Sequence, residues 1–240
     1  MAKKNRSSKK QQAQARAERM KNLTMITVIV LFLGLGIFAV VRTFVGGAEV
    51  VRVSEDIFEY ENQPVLGDPD APVKIVEFGD YKCPACKGFK DQIYPQLKKD
   101  YIDQGKVAFY FINHAFIGED SITAAMAAEA VFDQDPDSFW PYFEAIYDNQ
   151  RNEKIEWATP ELLTKLAEEN APKVDPDQLK EDIEQEAHRE QLEKDREIVR
   201  KAKVKSTPTL FVNGRKVDAA EAFQYDGLKE IIEEEMAEAK

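Results

Sequence analysis

The stretch Val73-Lys74-Ile75-Val76-Glu77-Phe78-Gly79-Asp80-Tyr81-Lys82-Cys83-Pro84-Ala85-Cys86 decides how this chain is read. Val73 to Phe78 is a short apolar run with β-branched residues, which predicts a strand. Gly79-Asp80 ends it. A helix is expected to begin at Cys83-Pro84 and to reach about Tyr101, kinked by Pro95. Pro84 suits the first helical turn, where no N–H is needed from it. Two cysteines separated by two residues at a helix start can close a small disulfide ring. Cys83 is placed to meet the positive end of the helix, which favours a thiolate. Cysteines in such motifs reach pKa values of about 3.5–7.5, against about 8.5 unperturbed. Cys86, one turn later, can attack the Cys83 sulfur. The pair can therefore hand a disulfide to another protein, or take one back, through a mixed disulfide. Lys82 and Lys87 add positive charge nearby, with merely solvated side chains as the alternative for both.

Working outward, Val107-Ala108-Phe109-Tyr110-Phe111-Ile112 is a second strand, so strand, helix and strand form a βαβ unit with a parallel pair. About 85 residues of helical pattern follow. Phe139, Tyr142, Phe143, Ile146 and Tyr147 share one helix face, expected to pack rather than to line a ligand cleft. Asp133 to Asp137, with Pro136, separates two helices, and Thr159-Pro160 and Asp175-Pro176 start two more. Thr209-Leu210-Phe211-Val212, Asn213-Gly214 and Arg215-Lys216-Val217 read as a β-hairpin with a type I′ turn. Leu228, Ile231, Ile232 and Met236 mark a C-terminal amphipathic helix. Upstream, Pro64 to Pro72 reads as a loop. The stretch from Gly46 to about Glu61 reads as a linker with an edge strand at Val50, Val51 and Val53.

Leu23 to Val41 holds no charged residue and would form a helix about 28 Å long, close to the hydrocarbon thickness of a bilayer. Nine basic residues and one acid, Glu18, occupy residues 1–46, and all the basic ones except Arg42 precede the apolar run. The expectation is an uncleaved anchor with its N-terminus inside and the body outside. The alternative is a cleaved signal peptide with a weak site at Gly46-Gly47-Ala48. The body carries 24 basic against 43 acidic residues, which disfavours nucleic acid as a partner.

Other readings of the cysteines are weaker. Cys83, Cys86, His114 and His188 would make a Cys₂His₂ zinc set, but nothing in the sequence places the histidines near each other. A membrane-tethered binding module with a structural disulfide is the third class, and so short a ring would add little stability. The acidic composition suits calcium, yet no EF-hand pattern is present. No phosphate loop, serine triad signature or nucleotide fingerprint is found.

Val73–Cys86, the helical block, and Ser206-Thr207-Pro208-Thr209-Leu210-Phe211-Val212-Asn213-Gly214 together resemble the DsbA-like thiol–disulfide oxidoreductases, in particular the membrane-anchored BdbD type of single-membrane bacteria. The likeness covers most of residues 60–240. It implies an α/β, thioredoxin-like fold (βαβ … ββα) with an inserted helical domain, preceded by one transmembrane helix. The expected boundaries are a basic cytoplasmic tail at 1–22, the anchor at 23–41 and the linker at 42–65. The thioredoxin-like part is expected at 66–116 and 204–240, around a helical insertion at 117–203.

The resemblance implies roles for particular residues. Cys83 is the exposed nucleophile and Cys86 the buried resolving thiol. Thr207-Pro208 is a loop with a cis peptide bond facing the disulfide, whose backbone pairs with a bound peptide. Glu77 is a buried acid of raised pKa that relays a proton for Cys86, with an ordinary strand-end surface carboxylate as the alternative. Between Pro84 and Cys86 the best-known oxidases carry a histidine, where this chain has Ala85, so its oxidising power rests on the helix dipole and backbone donors. The expected function is disulfide formation in exported cysteine-containing proteins, with no cofactor and no metal. Re-oxidation would fall to a DsbB-type quinone-linked membrane partner. A reductase of exported thiols, such as those of apocytochromes, is the alternative on the same fold.

Overall fold

The computed structural model describes Met20, Met25 and residues 51–238. The expected anchor at 23–41 lies outside the described residues except for Met25. Among the described residues no helix is long and apolar enough to cross a membrane.

The body is built on a five-stranded sheet in the order β1-β3-β2-β4-β5. β1 is Val65–Leu66, β2 Val73–Gly79, β3 Val107–Asn113, β4 Thr209–Val212 and β5 Arg215–Lys216. β2 and β3 are parallel, and the other three pairings are antiparallel. Alternate residues feed two cores, as the two-residue period of a strand requires. Val73, Ile75, Phe109 and Phe111 face one cluster, and Val76, Phe78, Tyr110 and Ile112 face the other. Both faces are covered, so β2 and β3 read as nearly unbroken apolar runs.

The helices follow in chain order. α1 is Pro84–Gln92 and α2 is Tyr94–Leu97. The single helix expected to Tyr101 is thus interrupted rather than kinked. Pro95 cannot donate the hydrogen bond a continuous helix needs, so it sits in the first turn of a new one. Lys98–Ile102 then widens into a π-turn. α3 (Glu119–Gln134), α4 (Phe139–Asp148), α5 (Pro160–Asn170), α6 (Pro176–Glu184) and α7 (Arg189–Lys201) form the helical block. Thr159 Oγ1 accepts from Leu162 N at 3.3 Å, and Asp175 Oδ1 accepts from Asp177 N and Gln178 N at 3.0 and 3.2 Å. These caps hold the N-termini of α5 and α6. The α4 face of Phe139, Tyr142, Phe143, Ile146 and Tyr147 is wholly buried against the sheet. α8 (Ala219–Ala222) and α9 (Tyr225–Glu238) complete the chain.

Asn213 and Gly214 both have positive φ, 45° and 76°, the conformation of a type I′ turn. Val53 N donates to Gly214 O at 2.9 Å, and Arg52 bridges Arg215. Residues 51–53 therefore lie along the hairpin through a single bridge. The stretch read as a loop at 64–72 contains β1, which extends the opposite edge through Val65↔Tyr110.

Candidate active site

Glu77 lies near the end of β2 on the face that also receives α1. The chain then turns through Asp80, Tyr81 and Lys82, all buried, into Cys83, the N-cap of α1. Asp80 builds this turn. Its Oδ1 accepts from Lys82 N at 2.8 Å, and its carbonyl accepts from Cys83 N at 2.9 Å. Its Oδ2 accepts from Phe116 N and Ile117 N at 2.9 and 3.1 Å. One carboxylate thus joins the loop after β2 to the loop after β3.

Cys83 and Cys86 are unlinked, the dithiol form. Cys83 has extended backbone angles, φ −73° and ψ 116°, which place its sulfur over the first turn. Cys83 Sγ accepts from Cys86 N at 3.4 Å and donates to Thr207 O at 3.3 Å. The Thr207–Pro208 peptide bond is cis, as the resemblance implied. The resemblance also implied an exposed nucleophile; instead Cys83 is only 5% exposed, lying beside this loop. Pro84 and Ala85 are the exposed members of the motif. Cys86 and Pro208 are buried, and Thr207 is half-buried with its hydroxyl unpartnered in the thiol form.

The two sulfurs are electrostatically unlike. The Cys86 thiol holds the Cys83 thiolate below its ordinary value, at about 6. The Thr207 hydroxyl and the N–H groups of Cys86 and Ala85 assist, against the cost of burial. Cys86 is pushed well up by burial, then by its hydrogen bond to Cys83 and by the nearby Glu77 carboxyl. Glu77 is itself buried, with Oε1 unpartnered. Burial first, and the Cys83 charge second, raise its carboxyl well above the ordinary range. The site therefore favours a Cys83 thiolate beside a Cys86 thiol at neutral pH, with burial biasing the Glu77 carboxyl toward its protonated form.

In the reduced protein, alkylation of Cys83 should titrate with a midpoint near pH 6, because the Cys86 thiol and the N–H groups of the first turn favour its thiolate, while native Cys86 stays unreactive. The depressed folded-state value also means that the Cys83 thiolate stabilises the reduced fold in alkaline solution. That contribution is lost as pH falls through the folded value. A midpoint near the ordinary thiol value, read by mass spectrometry of the alkylated protein, would refute the assignment.

Several residues of the site were not legible beforehand. Lys82, read as a nearby positive charge with solvation as the alternative, is 2% exposed; its ammonium pairs with Asp120 and donates to Ile155 O at 3.1 Å. Asp120 Oδ2 also accepts from Trp157 N and Ala158 N at 2.8 and 3.2 Å. Lys87 Nζ donates to Tyr147 O at 2.9 Å. Gln150 Nε2 donates to Tyr81 O at 2.7 Å and to Cys83 O at 3.0 Å.

The histidines of the zinc alternative are engaged elsewhere. His114 stacks on Phe116 with ring centroids 4.6 Å apart, and His188 lies 4.0 Å from Asp182. Among the described residues no group of three or more His, Cys, Asp or Glu side chains is placed to hold a metal ion. Apart from the cysteines, Asn113 Nδ2 donates to both Glu129 Oε1 and Asp195 Oδ2, at 2.7 and 3.0 Å. Burial raises both of these carboxyls.

The sequence matches a thioredoxin family model over residues 59–234. The chain is a DsbA-like member of the thioredoxin family. It is 45% identical over 176 residues to disulfide bond formation protein D of Bacillus subtilis, covering 73% of this chain and 78% of that protein. It is 44% identical over 181 residues to the probable disulfide bond formation protein D of Bacillus cereus, covering 75% and 82%. Among solved structures, oxidised BdbD from Bacillus subtilis superposes with a TM-score of 0.73 at 43% identity, covering 79% of this chain and all of that one. DsbA of Chlamydia trachomatis gives 0.65 at 29% identity, covering 71% and 90%. The thioredoxin-like α/β fold with a helical insertion is thus shared across the family.

Proposed function

We propose that this DsbA-like protein is a thiol–disulfide oxidoreductase that transfers the Cys83–Cys86 disulfide to exported proteins. The observation that carries the reading is the inequality of the two sulfurs. Cys83 is stabilised as a thiolate at the helix N-cap, while burial keeps Cys86 a thiol. A stabilised thiolate is a good leaving group, so the disulfide is readily given up.

The electron balance is simple. A substrate thiolate attacks Cys83 Sγ, the Cys83–Cys86 bond breaks, and Cys86 leaves as a thiolate. Glu77 is the buried acid that supplies its proton. A second substrate thiolate then attacks the substrate sulfur of the mixed disulfide and expels the Cys83 thiolate. The substrate loses two electrons and the enzyme gains them. Thr207 and Pro208 offer the backbone edge against which an extended substrate lies.

The exchange itself uses the cysteine pair and no cofactor. Re-oxidation by a quinone-linked membrane protein of the DsbB type fits the resemblance. A body held outside the membrane by the anchor at 23–41 fits the basic leader. The test is to mix the oxidised chain with a reduced, unfolded secreted protein in the absence of other oxidants. About one substrate disulfide per chain should form, with Cys83 and Cys86 recovered as thiols. No transfer would sink the proposal.

A further inference from the structure

The segment from Gly79 to Cys83 is a loop, yet Asp80, Tyr81, Lys82 and Cys83 are all buried. A buried loop needs a partner for each backbone N–H and C=O. Much of the demand is met from outside the loop. Asp80 O accepts from the Tyr147 hydroxyl at 3.3 Å. Tyr81 O and Cys83 O share one donor group, the side-chain amide of Gln150. A carboxamide carries two N–H donors and can serve two carbonyls at once. Glutamate cannot donate when ionised, and leucine cannot donate at all.

The Cys83 carbonyl matters for a particular reason. The next residue is Pro84, which has no N–H. The peptide plane between residues 83 and 84 therefore has only its carbonyl through which hydrogen bonds can hold it. That carbonyl takes one bond from Lys87 N at 3.2 Å and one from Gln150 Nε2 at 3.0 Å. The orientation of this plane is the ψ angle of Cys83. That angle sets where Sγ lies relative to the N–H groups of Ala85 and Cys86. Gln150 is in turn held against α1. Its own N–H donates to Tyr147 O at 3.1 Å, the carbonyl that also receives Lys87 Nζ, and the neighbouring Asp148 pairs with Lys90.

We propose that Gln150, just beyond the end of α4 in the helical insertion, is a positioning residue for the nucleophile. By clamping the carbonyls of Tyr81 and Cys83, it holds the Cys83 sulfur over the first turn of α1. The helical insertion thereby tunes the reactive thiol as well as covering the sheet. The inference rests on Cys83 being the nucleophile.

The test uses the full reduced chain and its Gln150→Leu and Gln150→Glu variants, with the Cys83 thiolate followed by ultraviolet absorbance across pH. Gln150→Leu removes both donors, so the midpoint should rise and the thiolate fraction at about pH 6 should fall about threefold or more. Gln150→Glu keeps the shape but turns an acceptor and a charge toward the carbonyls, and should raise the midpoint further. Gln150 is half-buried, so a carboxylate there is tolerated, and Gln150→Glu carries the test if the leucine variant fails to fold. A merely structural role would lower Tm and leave the midpoint where it was. Wild-type midpoints in folded variants would overturn the proposal. An ordinary thiol midpoint in the wild-type protein would instead refute the nucleophile assignment, so the two failures are distinguishable.

Discussion

Replacing Cys83 with serine abolishes disulfide exchange, with a loss of at least about a thousandfold in rate, because the hydroxyl cannot form the mixed disulfide through which electrons pass. The fold should survive, since serine fits the cysteine site and can cap the helix as well as cysteine does. Cys86→Ser should behave differently. It leaves Cys83 with its backbone donors and Thr207, so mixed disulfides should form and then persist, because nothing resolves them from within. Non-reducing gels of the two variants after incubation with an oxidised small-molecule thiol provide the check. A trapped adduct is expected on the Cys86→Ser protein and none on the Cys83→Ser protein. The reverse pattern would exchange the roles of the two sulfurs.

The largest stability effect is expected at Lys82. Its side chain is 3% exposed and its ammonium pairs with Asp120, whose side chain is 8% exposed. Lys82→Met should destabilise the protein by about 3–5 kcal/mol, because it leaves a buried carboxylate without its cation. Lys82→Met combined with Asp120→Leu should recover part of that loss, since removing both members of a buried pair costs less than removing one. Recovery is incomplete because Asp120 also accepts from Trp157 N and Ala158 N, which the double variant strands.

The pH dependence of this pair has a definite sign. Burial alone would raise the Asp120 carboxyl, but the Lys82 ammonium and the two N–H donors outweigh it and hold it below its ordinary value. A depressed carboxyl contributes stability above its unfolded value and loses it as pH falls through the folded one. Asp120→Asn should therefore flatten the acid side of the stability profile. Urea unfolding of the variants across pH measures both effects. A single Lys82→Met loss under about 1 kcal/mol would show that the pair is effectively solvated.

The parts that were legible in the sequence are those encoded locally. The strand before Cys83, the proline at the first turn of α1 and the caps at Thr159 and Asp175 each depend on a few adjacent residues. The Asn213-Gly214 hairpin does too, because two positive φ angles favour those two residue types. β1 is only two residues long and sits among glycine, aspartate and proline; its pairing with Tyr110 carries no local signal. The extent of α1 was overestimated because the apolar pattern runs on past Pro95, whereas the helix ends at Gln92 and restarts as the separate short α2 and a π-turn.

In the site, Cys83, Cys86 and the Thr207–Pro208 loop were found through a motif and a resemblance. Glu77 was marked by the same resemblance, and its burial agrees with that reading. The supporting polar residues were missed for one physical reason: their partners lie far along the chain. Asp80 binds loop residues 36 and 37 positions away, Lys82 reaches Asp120 at 38, and Gln150 reaches Tyr81 and Cys83 at 69 and 67. A lysine is ordinarily exposed, and only the fold shows that this one is not.

The central claim is that the Cys83–Cys86 pair is poised to give its disulfide away, and the reduction potential of that pair in the purified full chain tests it most directly. Equilibration with glutathione redox buffers, read by trapping the free thiols, gives the value. A thiolate stabilised at Cys83 favours the reduced form, so the potential should lie toward about −120 mV, the strongly oxidising end of the known range. A potential near about −270 mV, that of a thioredoxin-type reductant, would contradict the account and reverse the direction of electron flow.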